Sequence, residues 1–458
     1  MKVIVCGAGQ VGHHIAKHLA GENNDVTVID RSAELVRKLG DSLDVKAIIG
    51  HGSHPDVLEQ AGVGEADMLI AVTFYDEVNM VACQVAHSLF NVPTKIARIR
   101  TQSYLEPIWR DLFSRHHMPI DVIISPEYEV AKAALRRLEV PGTFDVIPLA
   151  DDLVRVAGVH ITDQCPIIDT PLTQLTELFP DLNIVVCGII RGDRMIVPGG
   201  TDSILVGDNV YFVTDKDHLE RSLSVFGHEE PEARRVVIVG GGNVGLFLAR
   251  DLEASHPNVN VRLIEADKAR AETVADQLER AIVINGDALD SEILREASVN
   301  EAETIVALAN DDEVNILSSL LAKREGCPRA ITLVNNSAYK SLIDTLGIDV
   351  FIDPRETTVS TILQHVRRGR IRGLHSLADG RAEVIDAEAL ETSSLVGVPL
   401  RELRLPDGMI IGAIVRQGEV IIPRGDTVVK VDDRVIIFAL AEMIKKVEQL
   451  FSVRLSFF

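Results

Sequence analysis

The chain is expected to be an α/β protein built twice: two doubly wound parallel-sheet domains, each followed by a small α+β module. Three observations predict this. Short Val/Ile/Leu runs alternate with helical stretches, two glycine loops of the same spacing recur far apart, and a second, shorter set of matched residues follows each of them. Apolar residues make up 46 % of the 458 residues but aromatics only 4 %, with one Trp and five Tyr. Branched aliphatics and alanine must therefore fill the cores, as in parallel sheets covered on both faces. The length alone suits about three domains of roughly 150 residues; the repeats divide the chain further.

The first block opens Lys2-Val-Ile-Val-Cys-Gly7-Ala8-Gly9-Gln10-Val11-Gly12, the second Arg235-Val-Val-Ile-Val-Gly240-Gly241-Gly242-Asn243-Val244-Gly245, an offset of 233. Asp76-Glu77-Val78-Asn79 recurs as Asp312-Glu313-Val314-Asn315 at an offset of 236, and Ser125-Pro126-Glu127 faces Asp353-Pro354-Arg355 at 228. The first copy thus carries about eight extra residues, expected between Leu105 and Met118. In the smaller modules Arg191, Pro198, Asp208 and Val210 match Arg416, Pro423, Asp433 and Val435, all at an offset of 225. The expected boundaries are 1–140 and 234–372 for the larger domains, 141–228 and 373–458 for the modules. The charged, aperiodic linker His228–Arg235 marks the middle.

Each element has a reason. Val3–Cys6 is a short apolar run before a glycine turn, and Val11–Ala20 has helical periodicity. Val26–Asp30, Val45–Ile49, Met68–Val72 and Lys95–Ile99 read as further strands separated by helices, the pattern of a doubly wound sheet. In the first small module Asn183–Ile190 and Asn209–Thr214 read as strands and Lys216–Phe226 as a closing helix. Ser125-Pro126 and Asp353-Pro354 each predict an N-cap followed by proline at the first helical position, with helices near Glu127–Leu138 and Arg355–Val366 as candidates for packing between units.

Gly7-x-Gly9-x-x-Gly12 lies between a strand and a helix, the context of a Rossmann-type dinucleotide fingerprint. The first glycine permits the turn, the second lets the backbone approach a diphosphate, and the third lets helix and strand pack closely. The amides that open the helix meet the phosphates. Asp30 ends the second strand 18 residues past Gly12, and Glu265 does so 20 residues past Gly245. A carboxylate there accepts bonds from a ribose diol and repels a 2′-phosphate, which favours NAD or NADH; Arg31 beside Asp30 is read as a solvated surface arginine, with a softening of that preference as the alternative. Ligands bind beyond the carboxyl ends of such strands, so Thr73 and Phe74 are expected at the rim, with Asn310 and Asp311 as counterparts, together with Gly50 and Gly286-Asp287. Arg98 and Arg100 fall at the end of the fifth strand, opposite Val334 and Asn336. A cation near the diphosphate is therefore expected in the first copy alone, and tighter binding of charged nucleotides with it.

Several classes are excluded. A net charge of −22 repels nucleic-acid backbones and gives no polybasic hold on lipid. Met1-Lys2 runs directly into a strand, so no secretory signal is expected, and no apolar run is long enough for membrane insertion. The five cysteines are scattered without a CxxC pair, which argues against disulfides or zinc and for a reducing compartment. His14 and His18 have helical i, i+4 spacing and His51 and His54 share a loop, but without acidic or thiol companions no metal is expected. No GxSxG, HExxH or phosphate-loop motif is present, and a reaction centre would not be duplicated in so small a repeated module; no catalytic residue is assigned.

The Val-Ile-Val-Cys-Gly-Ala-Gly-Gln-Val-Gly start, the Gly50-His-Gly-Ser-His-Pro55 loop, Asp76-Glu-Val-Asn-Met-Val-Ala-Cys83 and Ala97-Arg-Ile-Arg100 resemble the TrkA-type regulatory subunits of bacterial Trk potassium uptake systems. The resemblance spans essentially the whole chain. It implies two tandem RCK (regulator of potassium conductance) units, each an N-terminal and a C-terminal domain, and a cytoplasmic protein, peripheral on the inner face of the membrane. It further implies a homodimer or homotetramer that gates an integral membrane Trk channel subunit. NAD(H) or ATP/ADP would occupy the clefts, with contacts from Gly7 to Val11, Asp30, Thr73, Phe74 and Arg98, and from Gly240 to Val244 and Glu265 in the second copy. The residues alone leave two other readings, an NAD-dependent oxidoreductase and a nucleotide-sensing scaffold for a non-channel partner. Cofactor absorbance in the presence of substrates separates the first, and pull-down from membranes the second.

Overall fold

The structure is a computed structural model describing residues 1–21, 24–179, 182–366, 371–378, 380–403 and 405–451. The expected end of the last module, 452–458, and residues 367–370 before its start lie outside the described residues. The chain forms two compact units: Met1–Lys132 with Ile352–Val366, and Ala133–Phe351 with Arg367–Phe458.

In the first unit six strands, Lys2–Cys6, Asp25–Asp30, Lys46–Ile49, Met68–Ala71, Thr94–Arg98 and Val122–Ile124, form one sheet in the order 3-2-1-4-5-6. Every pairing is parallel. Val3, Ile4, Val5 and Cys6 are wholly buried, because helices cover both faces of a parallel sheet. The chain reverses direction of winding between strands 1 and 4, which opens a crevice at their carboxyl ends. Helices Gln10–Gly21, Ala33–Ser42, Pro55–Ala61 and Asp76–Ser88 cross between strands. The expected insertion is a pair of 3-10 turns, Gln102–Leu105 and Pro107–Phe113, where the second copy has the turn Ser337–Tyr339 and an α-helix, Lys340–Leu346.

The helix Pro354–Val366, which follows the second repeat's last strand, packs in the first unit against Gln10–Gly21 and the strand Val122–Ile124. The helix Pro126–Glu139 crosses the division after Lys132. The two predicted caps differ. Asp353 accepts the amide of Arg355 at 2.8 Å, whereas the buried hydroxyl of Ser125 has no hydrogen-bond partner.

The second unit holds the other parallel sheet: Arg235–Val239, Asn260–Glu265, Ile282–Asn285, Thr304–Ala307, Arg329–Leu333 and Val350–Ile352, again in the order 3-2-1-4-5-6. Two five-stranded antiparallel sheets complete it, one within Thr143–Asp215 and one within Ile371–Leu440. Their inner faces share one core, in which Tyr211, Val213, Ile436 and Phe438 interdigitate. Phe438 stands directly over Gly188, and Val213 over Gly412, where any Cβ would be within 2.5 Å.

The matched residues of the modules form the same ion pair twice. Arg191 holds Asp208 through Nε at 2.9 Å and Nη2 at 2.7 Å, and Arg416 holds Asp433 at the same two distances. Both carboxylates are buried and each also accepts a loop amide, from Leu205 and from Lys430. Arg329, deep in the second unit, donates to the carbonyls of Arg137 and Thr143 at 2.9 and 3.0 Å, and burial lowers its pKa to about 10.

Candidate functional site

Each crevice is shaped by its glycine loop. Gly7 and Gly240 have φ of +116° and +99°, which only glycine adopts without strain. A Cβ at Gly12 would stand 1.8 Å from the carbonyl oxygen of Gly7, and one at Gly245 2.0 Å from that of Gly240. These two positions tolerate no side chain because helix and turn touch there. Gly9 and Gly242 are different: a Cβ at either meets nothing within 4 Å. Each open position immediately precedes the first residue of a helix, Gln10 or Asn243, whose first amides have no partner within the helix.

The strand-2 carboxylates close the other side. Asp30 accepts Ala8 N–H at 2.7 Å and Ser32 N–H at 2.8 Å. Glu265 accepts Gly241 N–H at 2.6 Å and Asp267 N–H at 2.8 Å. Each oxygen keeps a second lone pair for a ribose hydroxyl. One carboxylate therefore ties the glycine loop to the turn after strand 2 and still presents acceptors to the crevice.

The recurring Asp-Glu-Val-Asn motif builds the opposite wall. Buried Asn79 accepts Thr73 N–H at 2.9 Å and donates to the carbonyl of Arg98 at 2.9 Å. Asn315 repeats this with Ala309 N–H at 2.7 Å and the carbonyl of Leu333 at 3.0 Å. Asp76 accepts the amides of Arg100 and Thr101, and Asp312 those of Asn335 and Asn336. The motif thus joins the ends of strands 4 and 5. The sequence displayed it as a repeat but not this role.

These bonds correct two expected correspondences. Thr73 and Phe74 match Ala309 and Asn310, not Asn310 and Asp311, because Ala309 N–H occupies the place of Thr73 N–H. Arg98 and Arg100 match Leu333 and Asn335, not Val334 and Asn336, because the turn before strand 5 is one residue shorter in the second copy.

Phe74 is exposed at the first rim, with the Arg100 guanidinium 5.4 Å from its ring centre, and Arg31 lies at the same distance from the ring of Tyr75. Arg100 also donates to Glu127 at 2.8 Å. Arg98 is half-buried, its Nε has no hydrogen-bond partner, and desolvation, with Arg100 next, lowers its pKa. The expectation that no cation flanks the second crevice is overturned by Arg270, whose Nε donates to the carbonyl of Gly241 at 2.6 Å and whose Nη2 lies 3.5 Å from Asn243 Oδ1. It sits on the helix after strand 2 rather than on strand 5.

No group of three or more His, Cys, Asp or Glu side chains among the described residues is placed to hold a metal. The rings of His51 and His54 stack at 4.6 Å. All five cysteines are buried, and desolvation raises the Cys6 thiol to about 12. A cavity of about 230 Å³ lies at the amino edge of the second sheet, among Arg235, Glu253, Arg262, Arg280 and Glu301. Its arginines are engaged with Glu303, with the carbonyl of Glu296 and with Glu253.

The fold and its two crevices define a class, a tandem array of TrkA-N and TrkA-C domains. The TrkA-N domain model matches residues 3–126 and 236–354, and the TrkA-C domain model residues 156–227 and 384–452. Among full-length relatives, the Trk system potassium uptake protein TrkA of Azorhizobium caulinodans is 55 % identical over 100 % of both chains. That of Halomonas elongata is 43 % identical over 100 % of both, and that of Vibrio alginolyticus 42 % over 98 % of both. The chain belongs to the TrkA family of Trk system potassium uptake proteins, whose members are named for transport and not for an enzymatic activity. The fold is that of the GsuK RCK domain, at a TM-score of 0.59 and 17 % identity, with 99 % of this chain and 95 % of that one covered. The GsuK channel bound to NAD gives a TM-score of 0.60 at 17 % identity, covering 99 % of this chain and 79 % of that one. No helix among the described residues is long and apolar enough to cross a membrane.

Proposed function

We propose that the chain is the nucleotide-sensing regulatory subunit of a Trk system, acting on the inner face of the membrane as a homodimer or homotetramer that gates an integral membrane potassium channel subunit. NAD(H) and ATP/ADP are the proposed ligands of its two crevices. The four-part division at 140/141, 228/234 and 372/373 belongs to the same proposal. The observation that carries it is the duplicated cradle: an open glycine position over helix amides, faced by a carboxylate already bonded to the loop.

The open positions at Gly9 and Gly242 fit a diphosphate. Asp30 and Glu265 would hold the ribose hydroxyls, the amides after Gly9 and Gly242 the phosphates, and Thr73, Phe74 and Arg98 the far side of the first crevice. A nucleotide, when bound, supplies a differential affinity for two conformations, without which no equilibrium shifts. The helix Gln10–Gly21 supports this coupling: its amino end opens the first cradle, and it packs against Pro354–Val366, which precedes the last module in sequence. That NAD is bound in a GsuK channel structure favours a dinucleotide here.

The test is potassium flux through the reconstituted channel, titrated with NADH and with ATP, for the wild-type chain and for Gly9→Val and Gly242→Val. A Cβ at either position meets nothing within 4 Å, so the side chain enters the cradle itself. Nucleotide-dependent flux that disappears in the variants is expected. Flux indifferent to nucleotide in the wild-type complex would refute the proposal.

A further inference from the structure

The two crevices are built on one plan yet carry their positive charge on opposite flanks. In the first, Arg98 ends strand 5, and its structural counterpart is the apolar Leu333. In the second, Arg270 occupies the first turn of the helix Lys268–Ala275. Its counterpart is Leu35, since Arg270 N–H bonds the capping Asp267 as Leu35 N–H bonds the capping Ser32. One copy has Arg and Leu where the other has Leu and Arg.

Arg270 is unusual for a chain of net charge −22. Its guanidinium is anchored by two neutral oxygens of the glycine loop, Gly241 O and Asn243 Oδ1, and no carboxylate among the described residues pairs with it. A guanidinium has five N–H groups, and most of these remain unused. Glu265, the strand-2 carboxylate of this crevice, bonds Gly241 N–H and Asp267 N–H rather than the guanidinium. An anchored, unneutralised arginine touching the residues on both sides of an open glycine, Gly242, is arranged for a planar, bidentate anion.

We infer that Arg270 is the phosphate-binding cation of the second crevice and grips the diphosphate of an ADP-containing nucleotide from the strand-2 side. This rests on the nucleotide reading of the crevices. It has a consequence for selectivity. Strands 2 and 5 flank strand 1 on opposite sides of the sheet. Arg98 therefore addresses what extends beyond the diphosphate, while Arg270 addresses the diphosphate where it meets the adenosine. The first crevice distinguishes nucleotides by their distal half; the second recognises the ADP portion that NAD, ADP and ATP share.

The experiment uses the full chain carrying Gly9→Val, which leaves the second crevice to report alone, titrated calorimetrically with ADP and with adenosine. Arg270→Leu installs the residue the first copy has at this place. It is expected to weaken ADP on the order of tenfold to a hundredfold, the range for a charge-assisted bond, with adenosine unchanged and Arg270→Lys recovering part of the loss. Unchanged ADP affinity overturns the inference. Equal weakening of ADP and adenosine also overturns it, since Arg270 would then act only by shaping the loop. If Gly9→Val alone takes up no ADP, the nucleotide reading of the second crevice falls and this inference with it. ADP uptake that survives the added Gly242→Val places the ligand elsewhere and overturns both.

Discussion

Replacing Asp30 by Asn removes a charge and one acceptor without changing shape. Asp30 Oδ2 and Oδ1 accept Ala8 N–H and Ser32 N–H at 2.7 and 2.8 Å. Either orientation of the amide turns an NH₂ toward one of these donors, so one loop bond is lost at a net cost of about 1 kcal/mol. The ribose loses a charged acceptor, about 1.5–3 kcal/mol, or roughly 10- to 150-fold in affinity. For a 2′-phosphorylated ligand the sign reverses. Two unit charges 4 Å apart repel by about 4 kcal/mol at an effective dielectric near 20, and that repulsion vanishes in the amide. Asp30→Asn should therefore weaken NADH on the order of tenfold or more while narrowing the gap between NADPH and NADH by up to about a thousandfold. Calorimetry on the Gly242→Val chain, in which the first crevice reports alone, measures both. An unchanged NADH affinity together with an unchanged NADPH-to-NADH ratio would refute the assignment of Asp30 to the ribose.

Three further outcomes follow from the packing. Asn315→Leu keeps the volume but strands the Ala309 amide and two carbonyls, so roughly 3–5 kcal/mol of stability should be lost; a thermal midpoint within error of wild type would show that the motif does not join strands 4 and 5. Asp433→Ala leaves Arg416 and the Lys430 amide without their acceptor and should cost about 3 kcal/mol, the low end for a broken buried pair because a quarter of the Arg416 side chain meets solvent; denaturant unfolding of the full chain checks this. Burial, with Arg136 nearby, lowers the His375 pKa from 6.5 to about 4. The unfolded chain then binds a proton that the native state refuses, so its contribution is intact above pH 6.5 and declines by up to about 3 kcal/mol as the pH falls to 4. His375→Asn should flatten stability across that window, and a slope identical to wild type would contradict the burial effect.

What the linear chain determined about this protein is whatever depends on near neighbours or on a repeated pattern. The glycine loops, the strand-ending Asp30 and Glu265, and the alternation of strands and helices follow from turn sterics and apolar periodicity, and they are readable wherever a segment is short and its pattern appears twice. The Arg191–Asp208 and Arg416–Asp433 pairs were visible as matched residues, though not as bonds. Tertiary structure alone decided the rest. Arg270 breaks the repeat, so no pattern marks it, and only folding brings its guanidinium to a carbonyl 29 positions back, at Gly241. The helix Pro354–Val366 carries no sign that it packs against Gln10–Gly21 in the first unit. Apolar side chains bury equally well against any complementary surface, since the hydrophobic effect is non-directional. Which surface they meet is settled by chain connectivity and shape across more than three hundred residues, information that no local stretch of sequence contains.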